Sequence, residues 1–200
     1  MFIYLHGFNS SGESAKGKYF AEQFSEFPFY RPSYPADPDA AIEYLKDYIA
    51  ERLEPKGKNV LIGTSLGGYY AQYLARHFSS NRSSSTQDKL AIVMINPALD
   101  PATTLTPYFG RQTNYYSGEE YYFAEPELQK LLRYDVPRPC DSPLPTLLLL
   151  DEGDEIIDYQ TSLTIYANCA QCHTFPGGDH QFQHLDKAVS LIRNFFDQKC

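Results

Sequence analysis

An apolar run, Val60-Leu61-Ile62, ends in Gly63-Thr64-Ser65-Leu66-Gly67-Gly68, and a helical pattern starts at once. No other stretch restricts the fold as strongly. A strand that gives way to a helix within one Gly-x-Ser-x-Gly turn has the sequence form of a nucleophile elbow. Gly63 and Gly67 carry no Cβ, so strand and helix can cross close together there. Ser65 Oγ is then expected to stand out beyond the strand end, over a helix N-terminus whose free N–H groups and partial positive charge suit an oxyanion. The plainer reading leaves the glycines as turn formers and Ser65 as a bystander. The strand before the motif and the helix after it favour the elbow.

Such a serine is inert alone. It needs a base to take its proton and an acid to orient that base. The base expected here is His180, in Pro176-Gly177-Gly178-Asp179-His180 after the last apolar strand pattern. His184 is the runner-up, already at a helix start, and His173 sits inside a strand pattern. Five acids follow the run Thr146–Asp151: Asp151, Glu152, Asp154, Glu155 and Asp158. A solvated acidic turn accounts for most of them. Asp154, just after Gly153, is the preferred acid, with Asp158 second because it stands where a helix N-cap would. The oxyanion donors expected are the backbone N–H groups of Leu66 and of Phe8, the latter in His6-Gly7-Phe8-Asn9-Ser10-Ser11-Gly12 after the first strand. His6 reads as a brace for that loop and not as the base. The chain order serine, acid, histidine is that of α/β-hydrolases, and it differs from the orders of chymotrypsin-like and subtilisin-like enzymes.

The rest of the chain fits a sheet that can present these loops together. Strand patterns at Phe2–Leu5, Phe27–Tyr30, Asn59–Gly63, Leu90–Ile95, Thr146–Asp151 and Gln171–Phe175 alternate with helical ones at Ser14–Phe24, from Asp37-Pro38-Asp39, at Leu66–Phe78, Asp158–Ala170 and Gln183–Phe196. That alternation predicts an α/β fold: a mostly parallel, doubly wound sheet of about six strands in one domain. Ligands in such sheets bind beyond the C-terminal strand ends, where every candidate above falls. Ser79–Asp88 reads as an exposed polar loop. The segment 99–145 is the least regular and strongly aromatic, with Tyr108-Phe109, Tyr115-Tyr116 and Tyr121-Tyr122-Phe123 and one helix expected over Pro126–Tyr134. It reads as a lid-like insertion lining an acyl pocket, or as a surface excursion packed by its own aromatics.

Composition narrows partners and compartment. The 200 residues carry 17 basic and 25 acidic side chains, a net charge of −8, with no basic run. Nucleic acid and anionic membrane are therefore not expected partners. No apolar stretch has transmembrane length, and the first residues lack the form of a secretory leader, so a cytoplasmic location is expected. Cys140, Cys169, Cys172 and Cys200 make no disulfide framework for a chain of this size, which fits a reducing compartment. Cys169-x-x-Cys172 reads as two half-buried thiols more readily than as a redox pair or half a metal site.

The blocks Leu5-His6-Gly7-Phe8-Asn9-Ser10-Ser11, Gly63 to Tyr70, Gly153-Asp154-Glu155 with Asp158-Tyr159, and Gly177-Gly178-Asp179-His180 resemble the YqiA-like esterases (UPF0227), small bacterial α/β-hydrolases. The resemblance spans nearly the whole chain. It implies an N-terminally truncated α/β-hydrolase fold and hydrolysis of carboxylic esters or acyl thioesters, with Ser65, Asp154 and His180 as the triad and no cofactor or metal. The Asn96-Pro97 pair fits the pattern. Asp179 departs from it, standing where the family usually has Asn. The function expected is a serine esterase; the alternatives are an acyl-CoA thioesterase, which a phosphate-binding cluster of Lys16, Lys18 and Arg111 would favour, and a non-catalytic binding module. Oligomeric state is left open.

Overall fold

The computed structural model describes residues 1–55, 57–80, 89–138 and 140–199. Its elements in chain order are β1 (Phe2–Leu5), α1 (Ala15–Gln23), β2 (Phe29–Tyr30), α2 (Pro38–Ala50), β3 (Lys58–Thr64), α3 (Leu66–Ser80), β4 (Lys89–Ile95), α4 (Pro101–Leu105), a 3₁₀ turn (Thr106–Tyr108), β5 (Gly110–Thr113), β6 (Glu120–Phe123), α5 (Glu125–Leu132), β7 (Thr146–Asp151), α6 (Tyr159–Tyr166), β8 (Gln171–Phe175) and α7 (Leu185–Lys199). Six strands form one parallel sheet in the order β2-β1-β3-β4-β7-β8. This is the expected α/β-hydrolase architecture.

The apolar runs have no polar alternation because both sheet faces are covered. Successive side chains go to opposite sides. Ile3, Leu61, Ile92, Met94 and Leu148 pack with α2 and α3 on one face, and Tyr4, Val60, Ile62, Val93 and Leu149 pack with α1 and α7 on the other. Ser14 caps α1 by accepting from Gly17 N at 3.2 Å, and Asp37 caps α2 by accepting from Asp39 N and Ala40 N, with Pro38 at the first helical position.

The chain runs from β1 to β2 on one edge and returns to β3 on the other side of β1. The strand order therefore reverses between β1 and β3, the place where open α/β sheets have their ligand crevice. The loop after β1 carries Phe8 and the turn after β3 carries Ser65, so both sit at that crevice.

Three sequence expectations need correcting. The segment 99–145 is more regular than its composition suggests. It holds α4, a β5–β6 antiparallel hairpin and α5, the last starting one residue before the expected Pro126 and ending two short of Tyr134. The hairpin was missed because both strands are short and carry polar residues on the side that faces out. Second, Cys140 and Cys169 are joined as a disulfide between the end of this segment and the loop after α6, and among the described residues Cys172 is the free thiol. The pairing joins residues 29 apart in sequence, brought together as Cys140 N donates to Ile165 O, so spacing alone did not reveal it. The cysteines thus no longer argue for a reducing compartment. Third, Ser79 and Ser80 continue α3 and are not loop; the rest of the expected Ser79–Asp88 loop lies outside the described residues. Among the described residues no helix is long and apolar enough to cross a membrane.

Candidate active site

The β3–α3 turn puts Ser65 in a left-handed backbone conformation, φ 52°. A side chain rarely tolerates that region, and here surrounding bonds impose it: Ser65 N donates to Ile95 O at 3.1 Å, while Gly68 N and Ala98 N donate to Ser65 O at 2.9 and 3.0 Å. A Cβ on Gly63 would lie 2.3 Å from Gly67 O, so nothing larger than glycine lets strand and helix cross there.

His180 reaches Ser65 from the other end of the sheet. The loop after β8 turns through Gly177 and Gly178, at φ 71° and 74°, and wraps the buried carboxylate of Asp151. A Cβ on Gly178 would fall 1.9 Å from Asp151 Oδ2. Asp179 N and Gln183 N donate to that oxygen at 3.3 and 2.7 Å, and His184 Nδ1–H donates to Oδ1 at 2.7 Å. Asn96 closes the arrangement, donating from Nδ2 to Asp179 O at 3.0 Å and accepting from Asp151 N at 2.9 Å. With its loop fixed, His180 places Nε2 3.1 Å from Ser65 Oγ. Its Nδ1–H donates to Asp154, 2.9 Å from Oδ2 and 3.1 Å from Oδ1.

Asp154 is held in turn. Its side chain is 1% exposed, and Oδ1 accepts from Ile156 N and Ile157 N at 2.9 and 2.8 Å. A carboxylate with fixed donors on one oxygen keeps its orientation toward the imidazole. Asp158 instead caps α6 by accepting from Gln160 N, and His184 is committed to Asp151 and stacked on Phe175 at 4.9 Å. His173 lies in β8 against Gln171 Nε2.

The loop after β1 abuts the serine: a Cβ on Gly7 would be 3.2 Å from Ser65 Cβ. The N–H groups of Phe8 and Leu66 have no acceptor among the described residues. His6 is buried, stacked on Tyr34 at 3.8 Å, and donates from Nδ1 to Gly7 O at 2.9 Å; burial holds its pKa down at about 4. A neutral imidazole bonded to the Gly7 carbonyl braces the loop.

A pocket of about 520 Å³ opens over Ser65 and His180. Tyr108, Tyr115 and Tyr116 from the 99–145 segment line it, so that segment overhangs the site. The hairpin is tied to the β1 loop by a network the sequence did not reveal. Asn9 Nδ2 donates to Gln112 Oε1 at 2.8 Å, Tyr121 OH donates to Asn9 Oδ1 at 2.6 Å, Tyr115 N donates to Asn9 O at 3.1 Å, and Asn114 Nδ2 donates to Ser10 O at 2.8 Å. One signal was present, since Asn is among the few side chains that accept φ 53°, the value at Asn9. Of the three cations considered for a phosphate cluster, Lys18 lies 3.6 Å from Glu13 and Arg111 is paired with Glu120, while Lys16 alone lines the pocket.

Residues 1–197 match the model of UPF0227, described as an uncharacterised protein family. The chain belongs to the UPF0227 family. Among solved structures, this UPF0227 chain is similar to a putative hydrolase from Agrobacterium vitis S4, with TM-score 0.78, 21% identity, and 98% of this chain and 87% of that one covered. It is also similar to the mouse alpha/beta hydrolase domain-containing protein 10, with TM-score 0.76, 17% identity and 98% and 89% coverage. A third is Est1E from Butyrivibrio proteoclasticus with ferulic acid bound, with TM-score 0.70, 16% identity and 99% and 88% coverage. At these identities the likeness establishes a shared fold.

Proposed function

We propose that this chain is a serine hydrolase that cleaves carboxylic acyl esters through an acyl-enzyme. The observation that carries the reading is His180, hydrogen-bonded to Ser65 Oγ on one ring nitrogen and to Asp154 on the other. In this reading His180 Nε2 takes the hydroxyl proton as Ser65 Oγ attacks the carbonyl carbon. Asp154 fixes the tautomer with its lone pair facing the serine and stabilises the imidazolium that forms. The Phe8 and Leu66 N–H groups receive the developing oxyanion, a contribution of about 10²–10³ in rate per donor in comparable sites. His180 then protonates the departing alcohol, and water attacks the acyl-enzyme by the same route in reverse. The chain acts as a single domain, with the overhanging segment 99–145 as a lid-like cap. The fold shared with Est1E is consistent with a small ester as substrate.

Hydrolysis of p-nitrophenyl esters of graded chain length tests this, comparing wild type with Ser65→Ala. Turnover that vanishes in the variant supports the serine mechanism, and the chain-length profile sizes the pocket. Absence of turnover together with failure of a fluorophosphonate probe to label Ser65 overturns it in favour of a binding module.

A further inference from the structure

Among the described residues Lys16 is the one lysine or arginine lining the pocket over Ser65. It is partly buried, on the first turn of α1, and no carboxylate lies within ion-pair range of it among the described residues. Lys18, Arg31, Lys130 and Arg133 have acidic partners, and Lys46, Lys58 and Lys187, which have none among the described residues, each lie over an aromatic ring. The carboxylates nearest in influence, Asp151, Asp154 and Asp179, are already engaged. Asp154 accepts from His180, Ile156 and Ile157; Asp151 from His184, Gln183 and Asp179; Asp179 from Gln181 and Gln183.

The backbone beside Lys16 repeats the pattern. Ser14 satisfies Gly17 N, but the N–H groups of Ala15 and Lys16 have no acceptor among the described residues, and Ser14, Ala15 and Lys16 all line the same pocket. The first turn of α1 holds no acidic side chain. An ammonium, two free N–H donors and the positive end of a helix thus share one wall. Groups partly removed from water without partners are costly, and a ligand that supplies the missing acceptor recovers that cost.

We propose that Lys16 selects substrates that carry a carboxylate, so that the ester cleaved at Ser65 is a monoanion. This rests on the serine-hydrolase reading above. A single negative charge fits better than a phosphate monoester, because one cation stands against three nearby carboxylates that would repel a dianion. Burial lowers the Lys16 pKa to about 8 against the opposing pull of those carboxylates, so the side chain is charged at neutral pH.

The test compares p-nitrophenyl valerate with mono-p-nitrophenyl glutarate, equal in acyl length and differing in charge, for wild type, Lys16→Met and Lys16→Arg. A second pair, phenyl acetate and 4-acetoxybenzoate, moves the charge to the leaving group and tells which half of the substrate Lys16 meets. The wild-type preference for the anionic ester should be about tenfold for at least one pair, lost in Lys16→Met and kept in Lys16→Arg. A preference unchanged in Lys16→Met overturns the proposal. Calorimetric titration with monoethyl glutarate keeps the test independent of turnover. Binding that needs Lys16 in a protein that hydrolyses no ester retains the anion site and rejects the hydrolase reading, and a titration indifferent to Lys16 rejects the anion site.

Discussion

Two aspartate–histidine pairs stand within one loop of each other and do opposite things. Asp154 and His180 are 2.9 Å apart, and so, at 2.7 Å, are Asp151 and His184. Both carboxylates are buried and both imidazoles donate from Nδ1. The difference lies in what the far side of each ring meets. His180 faces Ser65 Oγ, whereas His184 lies flat on Phe175 and its carboxylate also gathers Gln183 N and Asp179 N. One pair is spent on holding a chain segment, and the other is presented by that segment. Residue type and pairing are the same in both; what sets His180 apart is the Ser65 hydroxyl on its other ring nitrogen.

The sharpest way to break this contrast is to truncate each histidine. His180→Ala should lower kcat by roughly 10⁶-fold if it is the base, as loss of the base does where serine and histidine act as a unit. Its melting temperature should fall as well, because Asp154 is then a buried carboxylate short of a partner. His184→Ala should cost stability alone, about 3 kcal/mol, because Asp151 is left a buried charge short of a partner. Turnover per folded molecule should stay within about tenfold of wild type. Thermal unfolding alongside ester hydrolysis checks both, and an exchange of the two phenotypes would reverse the assignment.

A third histidine sharpens the comparison through pH. His6 has no acid partner among the described residues, and burial holds its pKa at about 4, below the 6.5 of an exposed imidazole. The unfolded chain therefore binds a proton that the folded chain refuses between those values. The stability His6 contributes is whole above pH 6.5 and is lost as pH falls toward 4, by about 3 kcal/mol if the full shift is expressed. Denaturant melts of wild type and His6→Phe across pH 4 to 7 should diverge in that window and run parallel above it.

The smallest expected effect concerns Asp179, where the family pattern has Asn. Its two oxygens accept from Gln183 Nε2 at 2.9 and 2.8 Å, and Oδ1 also accepts from Gln181 N at 2.8 Å. Asp179→Asn keeps one acceptor oxygen, so a stability change under about 1 kcal/mol is expected in this partly exposed turn. A larger loss, read by the same melts, would mean the His180 loop depends on that charge.

What could be read in the sequence and what could not divide along physical lines. The sheet followed from apolar runs at Val60–Ile62 and Leu147–Leu150, because full burial on both faces leaves a continuous signal. The elbow was legible because its close crossing admits only glycine at Gly63. The choice of His180 over His184 and Asp154 over Asp158 rested on loop position, and the distances agree with that choice without measuring a role. The holding function of Asp151 was not read, although a carboxylate ending four leucines is a buried charge in search of a partner. The hairpin, the Asn9 network and the Cys140–Cys169 bond depend on residues far apart in the chain, and no local pattern encodes them.

The Asn9 network has a mechanical corollary. Its bonds run from the aromatic hairpin to the residues next to Phe8, whose N–H is the oxyanion donor in the proposed mechanism. The roof of the pocket and the oxyanion donor are in effect two ends of one lever. Under the proposed mechanism, a substrate bulky enough to lift Tyr115 would also drag the donor from its place, so misfit at the rim would be felt as lost rate at the carbonyl more than as weaker binding.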